Sequence, residues 1–129
     1  MNNDPLANAM SKILNYEKLG RQSVQLYPSN KMAKAVLTIL NTHGFVGDAQ
    51  ERKTTRGSEL SLPLIGKINA IGVIKPRYAV KKEEFEKFEK RYLPAKGFGV
   101  IVISTSKGVM TLDDAKKQNV GGRLIAFCY

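Results

Sequence analysis

Cysteine and histidine are nearly missing from this chain of 129 residues: Cys128 and His43 are the only ones. No intramolecular disulfide can form, which fits a reducing compartment. One Cys and one His also fall short of a zinc site built from those ligands. Cys128 reads as a small core residue of a terminal strand. His43 closes a helical pattern just before Gly44, where its ring favours the last carbonyls, and no nucleophile pairs with it. Long apolar runs are missing too: none approaches the ~20 residues that a membrane span requires. The first residues, Met1-Asn2-Asn3-Asp4-Pro5, lack the basic patch and apolar stretch of a signal peptide. No metal, cofactor or membrane partner is expected.

Acidic residues are scarce as well, 11 against 21 Lys and Arg, and this imbalance is the first positive signal. A net charge of +10 and a pI near 9.8 attract polyanions at long range. Nucleic acid is the commonest such partner. A basic face that docks an acidic protein is the rival outside that class. The hydrophobic fraction of 43% is ordinary for a globular protein, so the bulk of the chain should fold.

Two lobes are expected, 1–64 and 65–129. In the first, Asp4 as N-cap and Pro5 at the first helical position announce a helix with Leu6, Met10, Ile13 and Leu14 at helical spacing. Ser23 to Tyr27 reads as a strand, and Ser29 or Asn30 caps a second helix with Met32, Ala35, Val36, Ile39 and Leu40 on one side. Phe45 to Arg52 and Leu60 to Leu64 look like strands, giving α-β-α-β-β. In the second lobe Lys67 to Ile74 is a strand candidate, followed by the basic turn Lys75-Pro76-Arg77-Tyr78. Lys81 to Tyr92 alternates signs around Phe85 and Phe88, the pattern of a solvated helix with a narrow apolar stripe. Phe98 to Ile103 is the strongest strand. Thr111 opens a short helix that Gly121-Gly122 should stop, and Arg123 to Tyr129 forms the last strand. The fold class is α+β, with a mainly antiparallel second lobe.

The segment Ser104-Thr105-Ser106-Lys107-Gly108 stands between a buried strand and a capped helix, where rigid elements position functional loops. Its three consecutive hydroxyls offer donors and acceptors in one patch, Lys107 adds a cation for phosphate, and Gly108 permits close approach. Short hydroxyl side chains suit sugar and base edges in a shallow groove. On composition alone, a plain Ser/Thr turn at a strand end fits equally well. Ser104 and Lys107 also stand at the S-x-x-K spacing of certain serine enzymes, but no S-D-N or K-T-G companion exists and Gly108 opposes the helix that spacing needs. The phosphate loop G-x-x-x-x-G-K-[ST] is absent, so no enzyme is expected. Ser29-Asn30-Lys31 at a helix start can hold phosphate or merely cap the helix. Arg77 can hold phosphate, while Tyr78 reads better as filling a groove.

These residues carry a resemblance. Asp4-Pro5-Leu6-Ala7-Asn8-Ala9, Pro28-Ser29-Asn30-Lys31, Gly44-Phe45-Val46-Gly47, Ser104 through Thr111, Ala115 and Gly121-Gly122 stand in the order of the small-subunit ribosomal protein eight family. The chain resembles that family over nearly its whole length. The segment from Lys81 to Pro94, and Arg123 where bacterial members usually have Glu, resemble its archaeal-type form. The resemblance implies a two-lobe structural constituent of the ribosome, located in the cytoplasm. It would bind a helix in the central domain of small-subunit ribosomal RNA and help assemble the subunit platform. Ser104, Thr105, Ser106, Lys107 and Gly108 would then form the primary site, supported by Ser29, Asn30 and Lys31 of the first lobe, and Arg77 and Gly122 complete the candidate RNA-binding residues. Neighbouring small-subunit proteins are implied as partners, and some family members also bind their own messenger RNA.

Overall fold

The computed structural model of the chain describes residues 5–26, 31–55, 57–74, 79–95 and 98–129. The chain divides into two compact units, Met1–Ile71 and Gly72–Tyr129. The first has α1 (Pro5–Lys18), β1 (Ser23–Leu26), α2 (Lys31–Thr42), β2 (Gln50–Thr54) and β3 (Gly57–Pro63), in the expected order. The caps expected at Asp4 and at Ser29 or Asn30 lie outside the described residues. The strands form an antiparallel sheet in the order β1-β3-β2. Side chains alternate across a strand, so Val24, Leu26, Leu60 and Leu62 are buried while Gln25 and Ser61 fall on the other face.

Leu6, Met10 and Ile13 of α1 are buried at helical spacing. In α2 the buried stripe is Ala33, Val36, Leu37 and Leu40, and Met32, Ala35 and Ile39 are only half-buried. The expected stripe was rotated because the helix is apolar over more of its circumference than it buries. β2 starts at Gln50, later than Phe45, for a local reason. Val46 makes a single bridge to Leu64, and Gly47 N–H donates to Pro63 O (2.9 Å), before the chain leaves the sheet.

The second sheet has five strands: β4 (Ile71–Val73), β5 (Ala79–Val80), β6 (Val100–Thr105), β7 (Gly108–Thr111) and β8 (Gly122–Cys128). The order is β4-β8-β6-β7, and β5 also pairs with β8. The expected strand from Lys67 shrinks to β4 because Ile68, Ile71 and Ile74 are buried at a spacing of three, not two. The 81–92 helix begins as a 3-10 turn (Lys82–Glu84) and continues as α3 (Phe85–Tyr92). Glu84 Oε1 accepts from the Lys81 N–H at 3.1 Å to start it. Phe98 is 67% exposed, and Gly99 (φ 95°) turns the chain before β6 begins at Val100.

Two helices supply the other side of this core. Phe85 and Phe88 of α3, with Leu112 and Ala115 of α4 (Leu112–Gln118), join Ile101, Ile103, Met110 and Leu124 in one buried cluster. Fully burying one such side chain stabilises by about 1.5–3 kcal/mol. Thr111 Oγ1 accepts from the Asp114 N–H at 3.2 Å, the expected N-cap. The helix ends at Asn119 in the left-handed conformation (φ 62°), not at Gly121-Gly122. Cys128 is buried in β8. No helix among the described residues is long and apolar enough to cross a membrane.

Candidate RNA-binding surface

The hydroxyl-rich segment is a β-hairpin and not the strand-to-helix loop expected. β7 was missed because it is short and runs without a break into α4, so its residues look like a helix approach. Ser104 and Thr105 close β6, Ser106 and Lys107 make the turn, and Gly108 opens β7. The turn needs one residue at positive φ, and it falls on Gly108 (117°), where a side chain would be strained although space is open.

The hydroxyls are not equivalent. Thr105 O–H donates to Gly108 O at 2.9 Å, and Thr105 Oγ1 accepts from the Lys107 N–H at 3.0 Å. This hydroxyl is committed to closing the turn. Ser106 and Lys107 are exposed at the tip, and Ser104 is half-buried on the adjacent strand. The Ser/Thr turn is therefore made by Thr105, and Ser106 is left exposed beside it.

Register extends the patch beyond the hairpin. Val109, Ser104, Arg123 and Ala79 form one cross-strand row, and Gly108, Thr105, Gly122 and Val80 the next. Arg123 is exposed and stands directly opposite Ser104, so the two residues share one face of the sheet. Gly122 has a packing reason: a Cβ there would lie 2.1 Å from Ser104 O. Gly121 similarly lets the chain pass Val80 O, at 2.6 Å from an added Cβ, with Lys81 Cα at 3.3 Å. The exposed Lys81 thus follows β5 next to the glycine pair. Neither Arg123 nor Lys81 is legible as a neighbour of the hydroxyls in the sequence. Arg123 is separated from Ser104 by β7 and α4, and only strand register unites them.

The ribosomal protein S8 family matches residues 4–129. The chain belongs to the ribosomal protein S8 family. As a member it is a structural, non-enzymatic component that associates with small-subunit ribosomal RNA and the ribosome. The S8 site residues expected from the sequence distribute as follows. Ser104 through Gly108 and Gly122 come together on the second sheet. Lys31 opens α2 in the first unit. Ser29, Asn30 and Arg77 lie outside the described residues. Among the described residues no group of His, Cys, Asp and Glu could hold a metal ion.

Proposed function

We propose that the β6–β7 hairpin is the element by which this S8 protein recognises an irregular helix in the central domain of small-subunit ribosomal RNA, helping to assemble the platform. The observation that carries this reading is the hairpin tip: Ser106 and Lys107 are exposed on a turn that Thr105 holds shut from within. Preformed hydroxyls on a rigid sheet suit hydrogen bonding to base edges and 2′-hydroxyls, which distinguishes folded RNA from a generic polyanion. Ser106 and Ser104 are the contacting hydroxyls, Lys107 and Arg123 neutralise nearby phosphate, and Gly108 and Gly122 let the backbone pack as it must. Lys31 at the start of α2, Ser29 and Asn30 just before it in the sequence, and Arg77 hold neighbouring backbone without reading sequence. The 81–94 segment and Arg123 favour the archaeal-type branch. Neighbouring small-subunit proteins and the protein's own messenger RNA complete the proposed partners.

Electrophoretic binding to a purified central-domain fragment, against an unrelated RNA of equal length, tests the proposal. Preference for the fragment, lost when Ser104, Thr105 and Ser106 are all changed to Ala, is the expected result. Equal binding of the two RNAs, or an unaffected triple variant, would assign recognition elsewhere.

A further inference from the structure

The β2–β3 turn of the first unit repeats the chemistry of the β6–β7 turn. The sequence Thr54-Thr55-Arg56-Gly57 matches Thr105-Ser106-Lys107-Gly108 class for class: threonine, hydroxyl, cation, glycine. The ladders match as well. Thr54 pairs with Gly57 as the last rung of β2 and β3, as Thr105 pairs with Gly108 at the end of β6 and β7. Each hairpin is therefore closed by a threonine opposite a glycine. Thr55 is exposed, as Ser106 is at the equivalent position. Arg56 lies outside the described residues and enters by its place in the sequence alone.

Pairing inside the unit sets the charge around this turn. Each strand of the hairpin carries a single acid, Glu51 in β2 and Glu59 in β3. Glu51 pairs with Lys34 of α2, and Glu59 with Arg52 at 3.4 Å. Both carboxylates are thus answered from within the protein, while Lys53, one residue before the closing rung, is exposed. The second helix adds to the same end. Asn41 Nδ2 donates to Val46 O at 3.1 Å, ahead of β2, and Lys34 meets Glu51 within it. Helix and strand therefore run in opposite directions, and the start of α2 at Lys31 lies towards the β2–β3 turn. A helix start favours phosphate.

The composition of the hairpin separates the classes of partner. A protein contact is anchored on aromatic or aliphatic side chains that it buries. The β2 strand is Gln-Glu-Arg-Lys-Thr, and the large exposed apolar residues among those described, Leu19, Ile65 and Phe98, all lie off this hairpin. RNA backbone asks instead for cations and short hydroxyls, which meet phosphate and ribose without reading base sequence. We infer that the β2–β3 turn is a further RNA contact, with Thr55 on ribose or phosphate oxygens and Lys53 on phosphate. The inference rests on the RNA reading of the β6–β7 hairpin and adds to it a site in the first unit that holds backbone only.

The full chain is tested in two ways. Cys128 is buried, so a Thr55→Cys protein offers an accessible thiol for a benzophenone label. Irradiated in complex with purified small-subunit ribosomal RNA, the labelled protein should crosslink to the RNA. A labelled Glu83→Cys protein, exposed on the 3-10 turn before α3, gives the background. Lys53→Gln should reduce the slope of log affinity against log salt by about one phosphate increment. It should weaken cognate and unrelated RNA by the same factor, since a phosphate contact carries no sequence information. Crosslinking no stronger than from Glu83→Cys overturns the proposal, and so does an unchanged slope in Lys53→Gln. Crosslinks that go to protein and not RNA, once the chain is reconstituted into small subunits, overturn it in favour of a protein contact. Failure of the β6–β7 reading looks different: Ser106→Ala would keep full preference for the central-domain fragment while the Thr55 label still reached RNA. Melting curves report whether each variant folds, and if Lys53→Gln does not, the crosslink decides.

Discussion

In the hairpin turn Thr105 uses its hydroxyl within the protein, as donor to Gly108 O and acceptor from Lys107 N–H, while the neighbouring Ser106 is exposed. The two positions should therefore fail differently. Removing one partner of a hydrogen bond desolvated in a complex costs about 1–3 kcal/mol. Ser106→Ala should then weaken cognate RNA binding roughly 5- to 150-fold, since ~1.4 kcal/mol is tenfold. Its melting temperature should stay at the wild-type value, and binding to scrambled RNA should barely change. Thr105→Val should instead lower stability by about 1 kcal/mol, the ordinary worth of an intramolecular hydrogen bond, with a loss of affinity that follows the loosened turn. Paired melting and binding curves separate the two, and a Thr105→Val protein that melts normally would show that the turn closes without its hydroxyl. From the sequence the three hydroxyls were indistinguishable, because which one folds back on the turn depends on the backbone path. Lys107 and Gly108 stood out as residues, but Gly108 serves the turn through its positive φ (117°) and not through a close approach, since the space around it is open.

The helices and most strands follow from periodicity, since Leu60, Leu62 and Leu64 alternate and Phe85 and Phe88 share a helical stripe. Boundaries failed where glycine or spacing intervened, at Gly47, Gly99 and the Ile68-Ile71-Ile74 series. The hairpin was the largest miss. Pairing is a non-local property, and Gly108–Thr111 is too short to announce itself beside a helix cap. The same pairing gives Gly122 its importance. A methyl group 2.1 Å from Ser104 O cannot be accommodated without separating β6 from β8, the two central strands of the second sheet. Gly122→Ala should therefore destabilise by about 1–3 kcal/mol, as overpacking of a packed interior does. Thermal unfolding would show the loss. A variant as stable as wild type would mean that the strands have slack at Ser104, and that Gly122 serves the RNA directly.

For the molecule as a whole, charge and motif order were enough to point to ribosomal RNA before any coordinates. Neither could say which basic groups flank the hairpin, because the +10 is spread along the entire chain. Only a few of those charges should meet phosphate at once. The logarithm of affinity should fall with the logarithm of salt by roughly 0.7 to 0.9 per phosphate neutralised. A titration from low to high salt measures the slope, and Arg123→Ala should reduce it by about one such increment. A flat titration would remove phosphate contact as a main source of affinity.

Thr111 ends β7 and also caps α4, with its side chain on the Asp114 N–H and the residue itself 4% exposed. Strand and helix thus share one residue with no slack between them. A slip of the hairpin by a single position would pull the cap off its helix and drag Leu112 and Ala115 from the core. The tip is geared to the interior and not hinged on it. Extra residues can enter at the turn, between Ser106 and Lys107, far more cheaply than anywhere from Met110 to Leu112.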